Sequence, residues 1–214
     1  RLEKAAVWAR ENDVIIDLRW NGGGLVSTTE VLADYLGGFI AQNLTFSNTE
    51  FNADRGPLNN SSYQFGLRGN SINLSRVVFV ANTSSASASE MITNGMEPHA
   101  ETTIVGDRTF GKPVGQVGLT FCDKILRPTS FRLTNAVGFG DYFDGLPADC
   151  AVTEDLAIPI GADNDPHIIA ATTFLNTGGC PVISVPPGFS KTGPPDFEPP
   201  VDHSKPEREF LYAY

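Results

Sequence analysis

Three short stretches hold residues whose types and order suit acyl chemistry. The first, "SSASASE" (84–90), follows an apolar run and precedes a helix-like one. Ser87 therefore falls where a strand turns into a helix, and there free backbone N–H groups and the helix dipole both favour a developing oxyanion. Ser87 and Glu90 also fit the S-x-x-E capping box. As a cap alone, Ser87 would contribute about 1 kcal/mol.

A serine nucleophile needs a base. The only histidines are His99, His167 and His203; none lies in a recognisable catalytic context, and each reads as a surface residue. Lys112, in "TFGKPVGQ" (109–116), follows an apolar turn among glycines, where desolvation would favour the neutral amine. To serve near neutral pH its pKa must drop from about 10.4 to about 7–8, which requires burial. The third stretch, "DLRWNGGG" (17–24), sets three glycines between a strand end and a helix start, so backbone amides can point at an anion. Neither GxxxxGK[ST] nor GxGxxG is present, so a nucleotide phosphate is not implied. Taken singly, each stretch has an ordinary reading as well: a small-residue hinge, a solvated lysine, a flexible turn.

The elements that must position these residues alternate between strand and helix. "VIIDL" (14–18), "RVVFVAN" (76–82) and "TTIVG" (102–106) are short apolar runs of the kind that form buried strands. "STTEVLADYLGGF" (27–39) has apolar residues at Val31, Leu32, Tyr35 and Leu36, at helical spacing, with Ser27 or Thr28 as cap. "SASEMITNGM" has helix character, and "VGLTF" and "TSFRLTN" read as later strands. Residues 42–75 are polar and read as strands or a loop excursion. "DPHIIAATTFLNTGG" (165–179) reads as a closing helix with a glycine C-cap. The alternation predicts βαβ units and a mainly parallel sheet in an α/β fold. "RLEKAAVWAREN" (1–12) reads as part of a helix, and a chain opening there reads as a fragment or processed form.

The order DLRxNGGG, SASASE, TFGKxxxQ resembles the S41 family of serine peptidases, the C-terminal processing or tail-specific proteases. The resemblance covers about residues 12 to 120, with 25 positions from Ser87 to Lys112 as in that family. "YFDGLPADC" (142–150) is similar, less closely, to a later family segment. The resemblance implies Ser87 as nucleophile, Lys112 as general base and Gln116 as the residue orienting the lysine amine. The oxyanion hole would use the amides of Gly24 and Ala88. It also implies a ClpP/crotonase-like spiral of ββα units. The chain departs from the family at two points. Pro98 stands where some members carry an Asp, so the Ser–Lys–Gln version is expected, and Pro113 stands where a glycine is usual. No PDZ-like segment is visible, so a preference for C-terminal tails is not implied by the chain itself.

Bulk properties fit this reading. The 214 residues carry 41% hydrophobic and 19% charged residues, enough for a real core. A net charge of −10 disfavours a nucleic-acid partner, and no apolar run approaches a membrane span. Residues 1–180 are expected to form the catalytic core. Residues 181–214 hold eight of the 15 prolines and are expected to be an extended tail, docked on the domain, on a second copy or in the substrate groove. Cys122, Cys150 and Cys180 show no CxxC or zinc spacing; one disulfide with a leftover thiol would suit an exported protein, and three reduced thiols a cytoplasmic one. The acidic residues Asp141, Asp144 and Asp149 lack an EF-hand pattern and read as a solvated loop. The expectation is therefore an exported endopeptidase acting on unfolded or C-terminal polypeptide segments, without metal or cofactor and open to homo-oligomerisation. The alternatives are a non-catalytic hydrophobic-ligand carrier or scaffold of the same fold and a CoA-binding crotonase relative.

Overall fold

The computed structural model describes residues 6–10, 12–72 and 74–181. In chain order the elements are β1 (Ala6–Arg10), β2 (Asp13–Asp17), α1 (Val26–Gly37), β3 (Thr45–Phe51), α2 (Gly56–Asn59) and β4 (Ser61–Gln64). They continue with β5 (Arg76–Ala81), α3 (Ala88–Met96), β6 (Glu101–Gly106), β7 (Val114–Gln116), β8 (Leu119–Phe121) and β9 (Lys124–Leu126). Last come β10 (Thr129–Asn135), β11 (Cys150–Ala151) and α4 (Pro166–Thr177).

The three apolar runs become β2, β5 and β6 at the centre of a five-stranded sheet ordered β1-β2-β5-β6-β11. From β2 to β11 the pairing is parallel; only β1 runs antiparallel to its neighbour β2. Residues 6–10 are thus a strand, against the helical reading of that segment. Val7 and Trp8 favour strand, and pairing along the free edge of β2 overrides the helix preference of Ala6, Ala9 and Arg10. Alternation along β5 explains why it is apolar throughout. Val77 and Phe79 enter the core that holds α1 and α3, while Val78 and Val80 enter the core that holds α4.

A four-stranded antiparallel sheet, β4-β3-β10-β7, covers the other side of α1 and α3. The protein is therefore mixed α/β with one largely parallel and one antiparallel sheet, and the polar segment 42–75 supplies two strands of the latter. Phe46 of β3 packs against α3 at Gly95, where a side chain would run into its ring. α1 starts after Leu25, which makes no side-chain cap bond. Val31 and Tyr35 face solvent, whereas Thr29, Ala33 and Leu36 are buried, so the buried stripe is rotated from the one read in sequence. α4 follows its sequence reading closely, with the Asp165 side chain accepting the His167 N–H and Gly178 in the left-handed region. Cys150 of β11 is disulfide-bonded to Cys180 beyond α4, and Cys122 is a free exposed thiol. The proline-rich tail from residue 182 and His203 lie outside the described residues.

Candidate active site

Gly24, Ser87 and Lys112 follow β2, β5 and β6, so all three leave from the carboxyl ends of adjacent parallel strands. Loops at that edge of a parallel sheet converge, which makes it the usual place for a site in such folds. Here they are also bolted together. Asn21 accepts the Ala86 N–H (3.1 Å) and the Ser89 hydroxyl (2.9 Å) on its backbone carbonyl. The Ser85 hydroxyl donates to the Leu18 carbonyl (2.8 Å), and Asn82 Oδ1 accepts the Trp20 and Ser84 N–H groups. Ser85 and Ser89 are buried staples, each 1% exposed, whereas Ser87 is half-buried.

Ser87 stands at the N-cap of α3 with φ 56° and ψ −113°. Positive φ at a residue with a side chain is a strained conformation that its surroundings must impose. Gly23 is part of those surroundings. Its φ is 99°, and a Cβ there would lie 2.6 Å from Ala86 O, 2.8 Å from Ala88 N and 2.9 Å from Ser87 Cβ. The second glycine of the loop therefore needs to be glycine so that the chain can close on the serine turn. Among the described residues no hydrogen bond uses the Gly24 or Ala88 N–H.

The group that joins the serine to the lysine loop is Glu90, which is fully buried. Its Oε2 accepts the backbone N–H of Ser87 (2.9 Å) and of Lys112 (2.8 Å). Its Oε1 accepts the Thr109 hydroxyl and the Gly111 N–H, both at 2.6 Å. Four donors around one carboxylate satisfy its acceptor capacity and offset the cost of burying it. The capping box read in the sequence identified only the Ser87 half of this arrangement. Burial holds the Lys112 amine below the ordinary lysine value, and the Glu90 charge opposes that shift.

Gln116 lies on β7, and its Oε1 is buried without a hydrogen-bond partner. Nor does a hydrogen bond join Lys112 Nζ to Ser87 Oγ among the described residues. The hydroxyl of Tyr142, 3% exposed, is likewise unpartnered. Burial, then the Glu90 charge, raises its pKa. Among the described residues no group of three His, Cys, Asp or Glu side chains could hold a metal ion. A groove of about 480 Å³ between Asn94, Glu97, Ile104, Phe139 and Asp149 lies toward the opposite end of α3 from Ser87.

Sequence reasoning missed a second buried cluster at the start of the glycine loop. Arg19 is 5% exposed, and its guanidinium donates to both oxygens of Asp17 and of Asp165. It also contacts His167 Nδ1 at 3.0 Å. His167, 1% exposed, is thus no surface residue, and His99 is half-buried with Nε2 on the Thr45 carbonyl. Burial opposes the Arg19 charge, but its bonds to Asp17 and Asp165 raise its pKa further. Burial, then Arg19, lowers His167 against the opposing pull of Asp165, Glu154 and Asp17.

The chain matches the description "Peptidase family S41" over residues 5–140. It is 28% identical over 155 residues to a Staphylococcus haemolyticus protein named as a CtpA-like serine protease, covering 71% of this chain and 30% of that one. It thus spans less than a third of the length of that relative. Among solved structures, an S41-assigned protein from Bacteroides fragilis superposes with a TM-score of 0.71 at 23% identity, covering 76% of this chain and 44% of that one. The photosystem II D1 C-terminal processing protease superposes with a TM-score of 0.53 at 24% identity, over 73% of this chain and 40% of that one. These two likenesses bear on the fold, whereas the match over residues 5–140 spans more than half of the chain, and the chain belongs to peptidase family S41.

Proposed function

We propose that this chain is the catalytic part of a serine endopeptidase that cleaves unfolded or C-terminal polypeptide segments by a Ser–Lys mechanism. The observation that carries the reading is the Glu90 carboxylate, which takes the Ser87 and Lys112 backbone N–H groups on a single oxygen. Ser87 Oγ attacks the scissile carbonyl while the neutral Lys112 amine takes its proton. The lysine then returns that proton to the leaving amine, and water hydrolyses the acyl-enzyme by the same relay. The Gly24 and Ala88 amides receive the oxyanion. Gln116 Oε1, buried and unpaired, is the acceptor that orients the amine once the site is engaged. A spiral ClpP/crotonase-like arrangement of ββα units accommodates this order of loops. The Cys150–Cys180 disulfide supports an exported location, since oxidising compartments are where such bonds persist.

The experiment is Lys112→Arg, which keeps the charge but cannot supply a neutral amine. Cleavage of an unfolded polypeptide should fall by about 1,000-fold or more, at the upper end for loss of an acid–base group. Turnover like that of the original protein by a folded Arg variant would remove lysine from the mechanism.

A further inference from the structure

The guanidinium of Arg19 spends its donors on three side chains. Nε and Nη2 serve Asp17, two residues back. Nη2 and Nη1 serve Asp165, and Nη1 also meets His167 Nδ1. Asp165 caps α4 and His167 lies in it, on the far face of the parallel sheet and beyond the residues 5–140 matched to the family. Without them a buried cation would keep Asp17 and a 3.8 Å ion pair with Glu154 but leave N–H groups unmet, at a cost that displaces it. Four residues separate Arg19 from Gly24, and of these Trp20 and Asn21 are fastened to the serine turn. Trp20 holds a positive φ of 60°, and its indole N–H donates to Glu154. A shift at Arg19 therefore has no slack in which to dissipate before the glycine loop.

We propose that Asp165 and His167 are positioning residues for the reaction: through Arg19 they fix the end of β2 and the glycine loop so that its amides face Ser87. This rests on the catalytic reading given above. Arg19 can only donate, so His167 Nδ1 must accept and the neutral imidazole carries its proton on Nε2. A proton on Nδ1 would make that nitrogen a donor, toward Asp165 Oδ1 3.4 Å away, and break the Arg19 contact. The charged groups around the ring are Arg19 and Asp17 at the end of β2, Asp165 on α4 and Glu154 at the rim. Activity per folded molecule therefore carries, beside the Lys112 ionisation, a second acid-side ionisation that belongs to His167.

The test compares His167→Leu, Asp165→Asn and His167→Gln in the full protein with an unfolded polypeptide substrate, with rates expressed per folded molecule. Gln offers Arg19 a carbonyl acceptor that does not titrate. The first two variants should lose about 100-fold in kcat, the scale of a small misplacement of reacting groups, with KM changed less than about threefold. His167→Gln should recover at least tenfold over His167→Leu and keep only the Lys112 ionisation on the acid side of its pH–rate profile. If the unsubstituted protein cleaves while His167→Leu and Asp165→Asn turn over as fast per folded molecule, the positioning inference fails alone. A pH–rate profile of His167→Gln that superposes on the parent's, with both ionisations on the acid side, overturns it too, even if the other variants do not fold. If the unsubstituted protein neither cleaves nor reacts with a serine-directed phosphonate, the catalytic reading has failed first.

Discussion

Glu90 Oε2 accepts the backbone N–H of Lys112 at 2.8 Å, although 22 residues separate them in the chain. A helix-capping carboxylate thereby ties the lysine loop to the turn that bears Ser87. Glu90→Gln presents an NH₂ group to two of the four donors. It should destabilise the protein by about 2–4 kcal/mol in chemical denaturation, the range for losing buried bonds to a charged acceptor. Cleavage by the remaining folded molecules should drop more than about tenfold. Unchanged stability would mean that the carboxylate is not what joins the loops.

Gly23→Ala tests the close approach of the glycine loop. The added methyl meets Ala86 O, Ala88 N and Ser87 Cβ at 2.6–2.9 Å, in a backbone conformation that already disfavours side chains. Activity should fall by about 100-fold or more, as when an oxyanion donor is lost, while far-UV circular dichroism stays that of the parent. Normal cleavage by this variant would place the oxyanion elsewhere.

Two groups make rate and stability both fall on acidification, in different pH ranges. The rate should rise with pH through a Lys112 value below that of ordinary lysine, because only the neutral amine accepts the serine proton. For stability, the folded His167 binds its proton less readily than the unfolded one. Its contribution is complete above the unfolded value near about 6.5 and is lost as pH falls through the lower folded value. Denaturation midpoints measured from pH 8 to pH 4 should decline below about 6.5 in the parent, and less so in His167→Gln.

The Cys150–Cys180 bond closes a loop with a sequence separation of 30 and pins the end of α4 to β11. Loop-closure entropy puts its contribution at about 3–4 kcal/mol. Reduction, or the double substitution Cys150→Ser with Cys180→Ser, should lower the melting temperature by about 10 °C, which calorimetry reads directly. Cys122→Ser should leave it unchanged.

The sequence made the strands of the parallel sheet and the three loops legible because buried strands and glycine turns leave local signatures. "VIIDL", "RVVFVAN" and "TTIVG" announce themselves, and the serine and lysine stretches follow two of them directly. Residues 6–10 misled because a segment read as helix was recruited by an open strand edge. His167 misled for a related reason. Its burial depends on Arg19, 148 residues away, and no local pattern marks such a partner. Asp165 stood out only as the first residue of the closing-helix stretch, and nothing local marked the close approach of Gly23 to the serine turn. Pairings over long sequence separations carry little local signal, and they are what assemble this site.

Covalent labelling tests the central claim most directly. The protein is treated with a fluorophosphonate and the adduct located by peptide mass spectrometry, alongside Ser87→Ala, Ser85→Ala and Ser89→Ala. The account predicts a single adduct on Ser87, its complete loss together with cleavage in Ser87→Ala, and retained labelling of Ser87, at a reduced rate, in the two staple variants. An adduct on Ser89, or labelling that persists in Ser87→Ala, would contradict it.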